Sequence, residues 1–213
     1  MILNTIKYFY PEQPVLMMIE AAAFIQMSES DEWVAEPKYN GSRCELHILD
    51  GKIEFWDRHG KHLKYNNDFL HEEGRNEIKK TLLNIFGKKG YFVLDCELRH
   101  NKVKGIQNKL VIYDIHIYNN EVLNKMVFRD RRKLLEGMGF SIFNGDIVHL
   151  IYQYKDNFKQ TYEAFISGDY GDPDEFEGLV IKRLDGKLIL GRASGTDSIW
   201  MFKVRKATGS YRY

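Results

Sequence analysis

The chain has 213 residues, enough to bury a substantial core in one large domain or two small ones. Hydrophobic residues at 44% and charged residues at 29% give the balance of a soluble folded protein, which excludes a disordered or membrane-embedded chain. The formal net charge is +1, so any role in binding nucleic acid must rest on local clusters and not on overall charge. There is no signal peptide and no apolar run long enough to cross a bilayer, which points to an intracellular, cytoplasmic protein without membrane attachment.

Pro11 and Pro14 precede the apolar stretch from Val15 to Ile25, and this pattern predicts a helix over 15–25. From Cys44 to Trp56, apolar and polar residues alternate on both sides of Asp50-Gly51, which predicts a β-hairpin. Lys38 then leads into an antiparallel sheet, and Arg58 leaves the far end of the hairpin. Ile78, Leu82, Leu83 and Phe86 recur at helical spacing within 75–86. Strands are predicted over 91–98 and 109–117, joined by a turn at Lys104-Gly105, and helices over 128–136 and 158–166. A second hairpin is expected from 178–183 and 187–190 across Asp185-Gly186, followed by a last strand over 199–204. Cys44 and Cys96 lie in apolar strand-like runs and read as reduced core residues, with no zinc spacing nearby. Hairpin-rich strands mixed with helices predict an α+β fold with antiparallel sheets, and the absence of a Gly-x-x-x-x-Gly-Lys-Ser/Thr loop excludes a P-loop site.

Charge is unevenly distributed near the C-terminus. Lys182, Arg183, Lys187, Arg192, Lys203, Arg205, Lys206 and Arg212 stand against Asp185 and Asp197 alone, after an acidic stretch of Asp169, Asp172, Asp174, Glu175 and Glu177. The densest chemistry lies in Glu36-Pro37-Lys38-Tyr39-Asn40-Gly41-Ser42-Arg43. A lysine at the end of an apolar run, before a Gly-containing turn and an arginine, can attack a phosphorus atom while the turn and the arginine hold the anion.

Five further segments follow in order: Asp57-Arg58-His59-Gly60, Leu94-Asp95-Cys96-Glu97, Ile112-Tyr113-Asp114, Glu177 to Lys182, and Trp200 to Arg205. The series resembles the nucleotidyltransferase motifs of ATP-dependent polynucleotide ligases, relatives of RNA ligases and mRNA capping enzymes. The resemblance runs from about Glu36 to Arg205. Asn40 stands where the family has Asp, Asp57 where it has Ser, and Arg205 where it has Lys.

The resemblance implies two antiparallel sheets flanked by helices, with a nucleotide cleft between them, in a single adenylation domain spanning 1–213. Only Lys206–Tyr213 follow the last motif, too few for the C-terminal OB-fold domain of family ligases. Lys38 is the implied nucleophile, forming lysyl-AMP from ATP. A free lysine titrates near ~10.4, so only roughly one in a thousand is the neutral amine at pH 7. Lys182 and Lys203, converging on the α-phosphate, would lower that value by like charge. Arg205 is expected beside them. Glu36, with its approach fixed by Pro37, is implied to read the adenine amine, and Tyr113 to stack on the purine. Arg43 and Arg58 are expected to hold phosphates of the nucleotide or the nucleic acid. Glu97 and Glu177 are the implied Mg2+ ligands, since this ion needs few carboxylates beside water and phosphate oxygens.

The function implied is that of an ATP-dependent DNA ligase acting as a monomer on nicked duplex DNA, the arginine of the first motif favouring DNA over RNA. An RNA ligase, a capping-type guanylyltransferase and a non-catalytic nucleotide-binding module are the alternatives.

Overall fold

A computed structural model of the chain describes residues 8–63, 72–100, 102–190 and 195–206. Arg192 and Arg212, two members of the basic C-terminal stretch, lie outside them. The chain forms two compact units that alternate along the sequence. One comprises 1–12, 41–151 and 185–196; the other comprises 13–40, 152–184 and 197–213.

In the first unit the expected hairpin is present. Strands β3 (Ser42–Leu49) and β4 (Lys52–Asp57) pair antiparallel across Asp50 and Gly51, both at positive φ. Strand β3 also pairs with β5 (Tyr91–Arg99), and β5 pairs with β6 (Lys109–Tyr118). The short β7 (Glu121–Val122) extends this sheet, and β8 (Val148–Leu150) lies parallel to β6. Along β3 and β5 alternate residues Cys44, Leu46, Ile48, Leu94, Cys96 and Leu98 are buried, giving the sheet one apolar face. Cys44 and Cys96 are opposite one another across β3 and β5, buried and reduced.

Helix α2 (Glu72–Phe86) buries Ile78 and Leu82, and its Phe86 ring lies 4.8 Å from that of Phe92. Helix α3 (Phe128–Gly137) is anchored through Arg131, which is fully buried and forks onto Asp114 at 2.8 and 2.7 Å. This assigns Asp114 of the Tyr-Asp pair a structural role.

In the second unit a four-stranded sheet runs β1 (Gln13–Leu16), β10 (Asp197–Arg205), β9 (Phe176–Arg183), β2 (Trp33–Tyr39). Helices α1 (Ala22–Ser28) and α4 (Phe158–Ser167) contact each other through Phe24 and Phe158, and Phe165 of α4 stacks on Phe176 at 4.2 Å. Two expectations fail here. The stretch expected as a helix over 15–25 opens as a strand, and helix begins only at Ala22. The edge of β10 offers Val15 and Leu16 partners, and Met17 N–H donates to the Lys203 carbonyl at 2.9 Å, so tertiary pairing overrides local helix propensity. Pro14, which has no N–H, is accommodated because β1 is an edge strand.

The second hairpin does not form. Strand β9 is paired on both edges, by β10 and β2, and has no free edge for 187–190. Lys187 instead bridges Val127, in the first unit.

The Asp114–Arg131 pair gives a direct test of stability. Asp114→Ala leaves a guanidinium buried with its charge uncompensated and should cost about 3–5 kcal/mol in urea denaturation. The double variant Asp114→Leu/Arg131→Met should lose clearly less.

Candidate active site

Register builds the candidate site of the second unit. Strand β9 lies between β2 and β10, with Lys38 and Arg205 both opposite Gly178, Glu36 and Lys203 opposite Val180, and Val34 and Met201 opposite Lys182. Residues two apart share a face of a strand, so Glu36, Lys38, Lys182, Lys203 and Arg205 all project from one face. The other face carries Ala35, Leu179, Ile181 and Val204, all buried.

Gly178 is needed for this register. Its φ is +143°, and a Cβ there would meet the Val204 carbonyl and lie 2.8 Å from the Arg205 Cα. The Gly after Glu177 lets β10 approach closely enough to set Arg205 in Lys38's row.

Lys38 is half-buried, and its Nζ is ion-paired with Glu177. Lys203 shares the polar face. Its pKa is lowered by burial first, then by the Arg205 and Lys38 charges. Lys182 is placed differently. It is four residues along β9 from Gly178, roughly 13 Å at the usual strand rise, and its Nζ bonds Glu36 at 2.7 Å. The structure therefore joins Lys182 to Glu36; Lys182 lies two residues along β9 from Val180, the partner of Lys203.

Asn40 donates from its side chain to the Asp174 carbonyl at 3.2 Å, and its backbone N–H donates to the Glu175 carbonyl at 2.8 Å. An aspartate could not make the first bond, which accounts for Asn at that position. Pro37 lies in β2 at the edge of the sheet, where a missing N–H is tolerated.

In the first unit Arg43 is opposite Glu97 across β3 and β5. Its guanidinium forks onto Asp95, with Nε to Oδ1 at 2.9 Å and Nη2 to Oδ2 at 2.7 Å, and Nη1 donates to the Glu12 carbonyl at 3.2 Å. Asp95 thus holds the arginine in place. Glu97 accepts a hydrogen bond from the Tyr113 hydroxyl. A Cβ at Gly41 would lie 2.5 Å from Glu97 Cγ and 2.9 Å from the Leu98 carbonyl, so the motif glycine makes room for Glu97. The Tyr113 pKa is raised by burial and then by Glu97.

Arg58 stands apart. It is exposed, and its Nε donates to the neighbouring His59 at 3.2 Å. Asp57 accepts from the His59 and Lys61 N–H groups at 2.8 and 3.0 Å, closing the turn that presents Arg58. For Mg2+, Glu97 and Glu177 offer the hard oxygen donors it prefers. No cluster of three His, Cys, Asp or Glu able to hold a metal exists among the described residues.

A buried polar chain behind Arg43 was missed at the sequence level. His116 lies 4.0 Å from both Asp95 and Glu45, Glu45 contacts His47 at 2.8 Å, and His47 contacts the Tyr91 hydroxyl at 2.7 Å. Glu45-x-His47 alternates correctly for one strand face, but nothing in the sequence signals that the face is buried.

No protein-family model and no curated protein sequence matches the chain. Solved structures do. A mycobacterial DNA ligase D complexed with ATP and MES superposes with a TM-score of 0.63 at 15% identity, covering 92% of this chain and 60% of that one. The ligase domain of M. tuberculosis LigD gives 0.63 at 15% identity, over 92% and 59%. A structure from a study of Lig E DNA ligases gives 0.51 at 10% identity, over 91% and 69%. The chain therefore has the α+β fold of DNA ligase nucleotidyltransferase domains, and it spans about 60% of the mycobacterial chains it matches. No described helix is long and apolar enough to cross a membrane.

Glu45 predicts a pH dependence of stability. Burial raises its pKa from 4.5 to about 8, and the His116 charge and the Phe9 N–H offset only part of this. The folded chain keeps a proton that the unfolded chain has lost, so stability falls as pH rises from 4.5 to 8. His47 acts in the opposite direction: burial lowers its pKa from 6.5 to about 3, and its contribution is complete above 6.5. Between pH 6.5 and 8 the Glu45 effect stands without that opposition. Thermal melts across this window should show Glu45→Gln losing less stability than the unaltered chain.

Proposed function

We propose that the chain is an ATP-dependent nucleotidyltransferase that forms lysyl-AMP on Lys38 and acts in sealing nicked duplex DNA, with residues 1–213 serving as one adenylation domain. The observation that carries this reading is the Lys38–Glu177 pair on a strand face shared with Lys203 and Arg205, within a ligase nucleotidyltransferase fold. One matched structure is described as a complex with ATP, which supports ATP as the nucleotide. The matched structures are those of DNA ligases, which supports DNA over RNA as acceptor.

Transfer requires Lys38 as the neutral amine. Glu177, hydrogen-bonded to its Nζ, is placed to take the proton. The nitrogen lone pair then forms a bond to the α-phosphorus as the bond to the pyrophosphate oxygen breaks. Lys203 and Arg205 stabilise the charge that builds on the phosphoryl oxygens, the usual source of most catalysis in such displacements. Tyr113 offers a ring for the purine, held by its bond to Glu97. Mg2+, held by Glu177 or Glu97 through carboxylate oxygens, would neutralise phosphate charge. Arg58, exposed on its turn, is a phosphate contact for nucleic acid, and Arg43 contributes once Asp95 has set its plane.

Lys38→Ala should abolish covalent labelling by α-labelled ATP, read on a denaturing gel after incubation with Mg2+. Normal labelling of the variant would refute the assignment. Tyr113→Ala should weaken ATP binding by about 1–3 kcal/mol, the scale of aromatic stacking on a base. Tyr113→Phe should cost less in binding but still lose some stability, because Glu97 loses its hydroxyl donor. Calorimetric titration and melts separate the two effects.

A further inference from the structure

Glu36 is only 1% exposed, and both of its carboxylate oxygens are engaged. Oε2 takes Lys182 Nζ at 2.7 Å, and Oε1 takes Gln153 Nε2 at 2.8 Å. The contact with Gln153 is built into the backbone. Ala35 and Tyr154 exchange both main-chain hydrogen bonds, at 2.9 and 2.8 Å, an antiparallel bridge that sets Gln153 across from Glu36. The segment 152–154 thus acts as an added rung on the outer edge of β2.

The chemistry fixes which way the amide points. An ionised carboxylate only accepts, so the NH2 end of Gln153 faces Glu36 and the carbonyl end turns away. One N–H is spent on Glu36. The half-buried side chain keeps its second N–H and its carbonyl oxygen, one donor and one acceptor on the same amide. That pair complements adenine, whose exocyclic amine donates and whose adjacent ring nitrogen accepts, the same match by which glutamine reads adenine in nucleic acids. Guanine presents a carbonyl oxygen in place of the amine, which would oppose the Gln153 carbonyl.

We infer that Gln153 is the nucleobase-reading residue of this chain, and that Glu36 is a positioning residue whose charge is balanced by Lys182 and which holds the Gln153 amide in one orientation. This rests on the nucleotidyl-transfer reading above. It differs from direct reading of the adenine amine by Glu36, because both oxygens of that buried carboxylate are already bonded to this chain's own side chains. Base selection then arises from a fixed amide, and the wrong base is penalised by an unpaired acceptor as well as by a lost bond.

The test is covalent labelling of the full chain with α-labelled ATP and GTP, in parallel, for the unaltered protein and for Gln153→Met. Methionine keeps the length of the side chain and removes both polar groups. The unaltered chain should favour ATP, and Gln153→Met should narrow the ATP-to-GTP ratio about tenfold or more. Glu36 would keep Lys182 but lose one donor to its buried Oε1, so the melting curve should shift down by one buried hydrogen bond while the ATP-to-GTP ratio reports base reading separately. A purely structural role for Gln153 would lower labelling by both nucleotides equally and leave the ratio unchanged, which would overturn the inference. An unaltered chain that takes ATP and GTP equally would also overturn it. If Gln153→Met does not fold, Gln153→Ala is read in the same way. Labelling by neither nucleotide in the unaltered chain would instead remove the transfer reading itself.

Discussion

The double pairing of β9 is the constraint on which the second unit depends. A strand bonded on both edges has its register set twice, so a slip would have to break two ladders at once. That register places Lys38 and Arg205 in one row through Gly178, and Glu36 and Lys203 in the next through Val180. Four cations and a carboxylate therefore share a face without any loop having to position them. Gly178 makes this possible, because a side chain there would push β10 away through the Val204 carbonyl. The glycine of the Glu-Gly motif is thus explained by strand spacing, with no need to invoke contact with a ligand.

The first unit meets a different constraint. Its main sheet has one apolar face and one face on which Arg43, Glu45, His47, Asp95 and Glu97 sit together. Buried charge of this kind costs several kcal/mol per ion unless it is paired. Arg43 is paired with Asp95, and Glu97 with the Tyr113 hydroxyl. Glu45 is the exception that proves costly, with one oxygen buried and without a hydrogen bond among the described residues. Its raised pKa follows, since protonation is the cheaper solution. The unit gives up some stability to hold Arg43 and Glu97 in fixed orientations.

Much of this was legible in the sequence, for identifiable reasons. The hairpin at Asp50-Gly51 was readable because turn chemistry and period-two alternation agree. Helices α2, α3 and α4 were readable because their apolar residues recur at helical spacing. The stretch at 13–16 was not, because its strand state comes from β10, almost two hundred residues away, and not from its own composition. The hairpin expected at Asp185-Gly186 failed for a related reason: turn chemistry can show that a chain bends, but not whether the preceding strand has an edge to spare. At the site, residue types and order singled out Lys38, Glu177 and Lys203. The pairing of Lys182 with Glu36 was hidden, because it depends on which strand rows face each other. Gln153 gave no signal at all, since its position is set by a single bridge between Ala35 and Tyr154.

The pairings within each unit bear on how a ligand would bind. Lys38 holds Glu177, Lys182 holds Glu36, and Arg43 holds Asp95. A phosphate arriving at such a cation does not meet a bare charge; it exchanges with a carboxylate already present. A charged hydrogen bond contributes roughly 1.5–3 kcal/mol net, so each exchange forfeits a sum of the same order as it gains. Affinity then comes from what changes between the two partners. A triphosphate brings several oxygens and more than one charge, where a carboxylate brings one charge and two oxygens. On the proposed reading, pre-paired cations would discriminate against small anions while staying in place for a polyphosphate. The same pairing keeps each side chain in one rotamer before the ligand arrives, so little ordering entropy is left to lose on binding. A polar face assembled from internal ion pairs therefore trades raw affinity for orientation, which is the quantity that in-line displacement at phosphorus requires.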